Sequence, residues 1–194
     1  MGFKIAILIS GRGSNMKNII EACNNKKLCS SVNLVVSNKS NAYGLKIASK
    51  YKIETHILDS ENQNKENFES LLDKILKKHD INLICLAGFM KILSKDFVKN
   101  WPKMILNVHP SILPYFKGLN AQKQALENNA KYSGCTVHYV NEVMDGGEII
   151  DQKIVNISTH DDEDSLSKKI LMEEHKLYIK VLKKLEDNYG KSKQ

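Results

Sequence analysis

Over its first 95 residues the chain alternates short, continuous apolar runs with amphipathic stretches, and few folds are compatible with that alternation. Lys4–Ile9 reads KIAILI, Val32–Val36 reads VNLVV, Thr55–Leu58 reads THIL and Leu83–Ala87 reads LICLA. Runs this short and this apolar are characteristic of strands in a parallel sheet that is covered on both faces. Between them, Asn15–Asn24, Asn41–Lys50 and Glu66–His79 read as helices, the last with Phe68, Leu71, Leu72, Ile75 and Leu76 at helical spacing. Ser14 or Asn15 is the expected cap of the first helix. The fold class that follows is α/β, a Rossmann-like open and mostly parallel sheet with helices on both faces.

From Leu106 the pattern changes. Leu106–His109 is a short strand stopped by Pro110, and Ala121–Asn128 reads as a helix. Gly134–Val140 and Glu148–Asn156 alternate, flanking Met144-Asp145-Gly146-Gly147, which predicts an antiparallel pair. Asp164–Leu185 is a long helix with acidic residues at its start, favourable to the helix dipole. The C-terminal part is therefore expected to carry antiparallel strands and a long final helix. With 194 residues the chain can bury one sizeable core, and no repeat or linker divides it. Residues 1–189 are expected to form a single domain and 190–194 a frayed tail.

Charge and cysteine content narrow the partners. Lys+Arg total 29 against 22 Asp+Glu, a formal +7, and Arg12 is the only arginine. That charge could serve nucleic acid, an anionic membrane surface or small anionic substrates, but the lysines are scattered and fit a solvated surface better. Cys23, Cys29, Cys85 and Cys135 form no CxxC pair, and the last two lie in apolar segments as buried thiols. A reducing compartment, without a disulfide framework, is expected. No stretch approaches the ~18 apolar residues of a spanning helix, and no signal-peptide pattern opens the chain. The expectation is a cytoplasmic protein without membrane or nucleic-acid partners, a monomer or weak homodimer. The six histidines include no HExxH and no Cys/His cluster at ligand spacing, so no metal is expected.

Four features carry possible chemistry. Gly11-Arg12-Gly13-Ser14-Asn15 follows the first strand, yet Met16 replaces the third glycine of a dinucleotide fingerprint and no acidic residue ends the second strand. It is either a plain strand–helix turn or a cradle for a single phosphate at a helix N-terminus. Asn107 and His109, two apart on a strand, face the same way at its carboxyl end, where they are structural groups or donors to a developing oxyanion. Asp145 belongs to an ordinary Asp-Gly turn, or else it sits beside His109 and favours the imidazolium. Glu174 lies on the apolar stripe of the last helix with Leu166, Ile170, Leu171, Leu177, Tyr178, Val181, Leu182 and Leu185. It either reaches water at the stripe edge or faces a cleft and accepts hydrogen bonds from a ligand.

Taken together, ISGRGSN, LAGFMKIL, LNVHPSILP, the stretch from QALENN through GCTVHYV, and MDGGEII closely resemble the phosphoribosylglycinamide formyltransferases, in order and over nearly the whole chain. The resemblance implies the formyltransferase fold and transfer of a formyl group from 10-formyltetrahydrofolate to the amine of glycinamide ribonucleotide, in purine biosynthesis. It implies catalysis by Asn107, His109 and Asp145. Gly11, Arg12, Gly13, Ser14, Asn15, Leu171, Met172, Glu173 and Glu174 would bind the ribonucleotide, although the position of Arg12 varies in the family. Met90, Lys91, Ile92, Leu93, Asn107 and Asn141, Glu142, Val143, Met144 and Asp145 would bind the folate. Lys65 would join them where an arginine is expected, keeping the charge but not the planar fork. The rivals within this fold are formyltetrahydrofolate deformylase, with an N-terminal regulatory domain, and methionyl-tRNA formyltransferase, with a C-terminal tRNA domain. The chain starts its first strand at about Lys4 and ends just after its last helix, so neither extra domain is expected.

Overall fold

A computed structural model describes residues 2–59 and 64–191, with the side chains of 190 and 191 left aside. Seven strands form one sheet in the order β3-β2-β1-β4-β5-β6-β7. They are β1 (Lys4–Ile9), β2 (Ser31–Ser37), β3 (Glu54–Ile57), β4 (Leu83–Leu86), β5 (Ile105–His109), β6 (Tyr132–Tyr139) and β7 (Ile149–Asn156). The first five are parallel, while β6 pairs antiparallel with both β5 and β7. The helices are α1 (Ser14–Asn24), α2 (Tyr43–Lys50), α3 (Lys65–Lys78), α4 (Lys95–Asn100), α5 (Ala121–Glu127) and α6 (Glu163–Lys191).

Strand pleating divides the core in two. Ile5, Ile7 and Ile9 point to the face covered by Met16, Ile19 and Ile20 of α1 and Ile170, Tyr178 and Val181 of α6. Ala6 and Leu8 point the other way, against Phe68, Leu72 and Leu76 of α3 and Phe97 of α4. That is why β1 reads as an unbroken apolar run: both its faces are buried. Strand order reverses at β1, with β2 on one side and β4 on the other, so the loops after β1 and β4 open the crevice where such sheets bind ligands.

Two expectations need correction, and one element was not foreseen. Neither Ser14 nor Asn15 caps α1; its N-cap is Gly13, in the left-handed region at φ 75°, with no side-chain cap bond. A Cβ on Gly13 would lie 2.7 Å from the Cα of Gly44, so that close approach requires glycine. The short helix α4 was not anticipated; Ser94 caps it by accepting from the Phe97 N–H at 3.1 Å. The final helix continues to Lys191, two residues into the stretch expected to fray, and 192–194 lie outside the described residues.

Candidate active site

Asn107 and His109 occupy the carboxyl half of β5 on one face, as their spacing predicts. The antiparallel register sets His138 of β6 directly opposite Asn107. The loop between β6 and β7 then curls back along β5 and brings in Asp145, whose backbone takes φ 49°. The tight return rests on Gly147, where a Cβ would fall 1.7 Å from the Tyr139 carbonyl oxygen. Asp145 Oδ2 lies 3.4 Å from His109 Nδ1, and the two side chains are 10% and 6% exposed. The same oxygen accepts from the Gly118 N–H at 2.8 Å, which fixes the carboxylate.

Ring nitrogens define the proton positions. His109 Nε2 lies 2.9 Å from the Phe116 carbonyl oxygen, so it is the donor there. Both nitrogens of His109 thus face oxygen atoms. His138 is different. Burial holds its pKa below the ordinary histidine value, against the Tyr139 carbonyl and the Asp145 charge, which push it up. Nδ1 of this neutral ring donates to the Tyr139 carbonyl oxygen at 2.8 Å, leaving Nε2 to accept from the Asn107 amide nitrogen at 3.3 Å. That bond aims the Asn107 amide and leaves its second N–H for a ligand.

The glycine loop and Glu174 form a second polar group, after β1. Ser10 Oγ donates to Asn38 Oδ1 at 2.6 Å and accepts from the Met90 N–H at 2.7 Å, joining the loops after β1, β2 and β4. Asn15, buried at the start of α1, donates through Nδ2 to Glu174 Oε2 at 2.7 Å. Its Oδ1 is buried with no partner, an acceptor that a bound donor would satisfy. Burial pushes the Glu174 carboxyl up to about 7, and the Asn15 bond opposes that rise. The carboxylate on the apolar stripe therefore does not reach water at the stripe edge; it meets the start of α1, after the glycine loop, across the α1–α6 contact. Arg12, by contrast, is exposed.

A model of the formyl transferase family matches residues 3–182. The chain belongs to the formyl transferase family. Among named relatives, the phosphoribosylglycinamide formyltransferase of Escherichia coli (strain K12) is 38% identical over 179 residues, covering 92% of this chain and 84% of that protein. The trifunctional purine biosynthetic protein adenosine-3 of Homo sapiens is 40% identical over 92% of this chain, which spans only 18% of that larger protein. A related trifunctional protein of Chironomus tentans is likewise matched over just 14% of its length. The crystal structure of glycinamide ribonucleotide transformylase 1 from Symbiobacterium toebii superposes with a TM-score of 0.93 at 35% identity, covering 96% of this chain and 89% of that one. The phosphoribosylglycinamide formyltransferase of Anaplasma phagocytophilum gives 0.89 at 40% identity, covering 97% and 89%. The fold is that of these formyltransferases.

Within this formyl transferase the remaining expected residues are spread more loosely. Met90 and Ile92 are exposed after β4, Leu93 is half-buried against the core, and Lys91 places Nζ 4.9 Å over the Phe68 ring. Val143 and Met144 are exposed in the β6–β7 loop, where Asn141 Oδ1 accepts from the Val143 N–H at 2.9 Å and Glu142 pairs with Lys99 at 3.4 Å. Lys65 is exposed at the first turn of α3. Of residues 171–174 only Glu174 is tied to the glycine loop; Met172 is exposed and Glu173 pairs with Lys176 at 2.7 Å. The sequence reading missed His138 and the Phe116 carbonyl. His138 stood in plain view in GCTVHYV, but its place opposite Asn107 follows from the β5–β6 register, which no local spacing shows.

Proposed function

We propose that this chain transfers the formyl group of 10-formyltetrahydrofolate to the amine of glycinamide ribonucleotide. The observation that carries the reading is the convergence of Asn107, His109 and Asp145, with His138 behind Asn107, at the end of a strand next to the switch point of the sheet. Bound folate supplies the formyl carbon and a nitrogen leaving group. The amine lone pair attacks that carbon and the carbonyl pair moves to oxygen. The free N–H of Asn107 and the N–H of His109 then stabilise the oxyanion. To do so, His109 exchanges the Phe116 carbonyl for the oxyanion, while Asp145 holds the far side of the ring. The oxyanion pair then re-forms the carbonyl and expels the folate nitrogen, which takes a proton from His109. The attacking amine gives its surplus proton to His109 through water, so the formamide and the folate amine leave with His109 restored.

On this reading Gly11 to Asn15 hold the phosphate at the start of α1, and Glu174 accepts hydrogen bonds from the ribonucleotide beside Asn15. Met90 to Leu93 and Asn141 to Asp145 hold the folate from two sides, with Lys65 near its charged end. No metal takes part. Among the described residues no helix is long and apolar enough to cross a membrane. On this reading the chain works in the cytoplasm, as a monomer or weak homodimer. The test is to follow folate product with and without glycinamide ribonucleotide. Turnover that requires the ribonucleotide supports the transferase. Formate release without it would instead make this a formyltetrahydrofolate hydrolase.

A further inference from the structure

A second group of histidines and a carboxylate lies on the other wing of the sheet. β3 is the outer edge strand, four positions from β5, or roughly 19 Å at the ~4.8 Å spacing of strands. Glu54 and His56, two apart on β3, share a face. His79 is the C-cap of α3, held by its N–H to the Ile75 carbonyl oxygen at 3.2 Å. We propose that Glu54, His56 and His79 form a binding site for a borderline first-row divalent cation of the zinc class, which ties the edge strand to the end of α3.

Three observations carry this. First, His56 Nε2 and His79 Nε2 lie 3.1 and 3.3 Å from the same Glu54 Oε1. One ligand atom from each residue falls within 4.8 Å of the others. Bonds of ~2.0–2.1 Å to a tetrahedral ion separate its ligands by about 3.3 Å, which the two nitrogen–oxygen distances match. Second, His79 Nε2 is buried and makes no hydrogen bond, since its approach to Glu54 has the distance but not the direction of one. An imidazole nitrogen left so is costly unless a proton or an ion fills the gap. Third, the two rings meet edge to face at 69°, with centroids 6.0 Å apart, which lets both nitrogens converge without the rings clashing.

The donor chemistry selects the ion. Two imidazoles and one carboxylate suit zinc, copper, nickel or cobalt better than magnesium or calcium, which prefer all-oxygen shells. The negative end of the α3 dipole adds attraction for a cation, while Lys78, whose charge acts on Glu54, opposes it. Water fills the remaining positions of a three-ligand site. The alternative is a plain surface ion pair in which a protonated His79 or His56 faces Glu54, and experiment separates the two.

The test uses the full chain without a histidine tag. Zinc is titrated by calorimetry and cobalt by its visible absorption, in wild type, His56→Gln, Glu54→Gln and a Cys23→Ser/Cys29→Ser control. The expected result is one equivalent of zinc in wild type and in the cysteine control, with uptake at least about tenfold weaker in the other two variants. Zinc should also raise the melting temperature of wild type but not of His56→Gln. His56 is partly exposed on an edge strand, so its variant is read against the circular dichroism of a folded chain. Wild-type affinity in both His56→Gln and Glu54→Gln, or loss of uptake only in the cysteine control, overturns the proposal.

Discussion

Two histidine–carboxylate groups stand on one sheet, built by the same local rule. Each takes one or two residues at alternate positions of a strand and adds a group from a distant segment. Around Asp145 the side chains of His109, Asp145 and His138 are 6%, 10% and 2% exposed. Around Glu54, those of His56, Glu54 and His79 are 33%, 53% and 16% exposed. The first group sits beneath loops that return over β5, and the second on an edge strand with one neighbour. Low dielectric strengthens every interaction in the first and fixes its proton positions, whereas water and salt screen the second. The residue types are alike, but burial assigns the chemistry.

The comparison breaks first at His109. His109→Ala is expected to lower turnover by about 10²–10⁴, the range for losing a general acid. His56→Ala should leave turnover within about twofold. Initial rates with saturating glycinamide ribonucleotide check both, and equal losses would end the distinction. Asp145→Asn comes next. Asparagine can still accept from the Gly118 N–H, so the loop stays while the charge beside His109 is lost. A fall in turnover on the order of 10² is expected, comparable to removing one preorganised donor. A circular dichroism spectrum like that of wild type shows that the loss is electrostatic.

How much of this was legible in the sequence differs between the same regions. The apolar runs of β1, β2 and β4 reported their strands because both faces are buried, leaving no alternation to misread. The pairing of Asn107 with His109 was legible because a strand repeats every two residues. His138 was not, because its role depends on register with a strand 31 residues away. Glu174 announced itself as a charge on an apolar stripe, yet its partner Asn15 lies 159 residues earlier and no spacing connects them. Glu54 and His56 show strand spacing, but the third member arrives from the end of α3, so no local pattern read as metal-binding. Gly13 as cap was hidden for another reason: Ser14 is a common cap residue, and the approach to Gly44 that excludes a side chain at position 13 comes from a distant segment.

Glu174 tests whether burial, rather than residue type, governs a carboxylate. Its folded pKa is raised from 4.5 to about 7 by burial, so the folded chain keeps a proton that the unfolded chain gives up. The stabilisation from this group is therefore fully present below pH 4.5 and is lost as pH rises through about 7. Glu174→Gln has no proton to lose and can still accept from Asn15. Between pH 4.5 and 7.5, wild type should lose on the order of 3 kcal/mol more stability than the variant, at ~1.36 kcal/mol per pKa unit. Urea unfolding at the two ends of that range measures the difference, and parallel pH profiles would show that the carboxylate is hydrated after all.

The smallest effect belongs to Glu54, and its smallness is informative. In chelated buffer Glu54→Gln should leave the melting temperature unchanged, because an exposed pair gains little in water and constrains two side chains to do so. Added zinc should then separate wild type from the variant. A large loss in chelator would mean that the Glu54–His56–His79 contacts stabilise the edge strand by themselves, and the contrast between the two histidine groups would become one of degree.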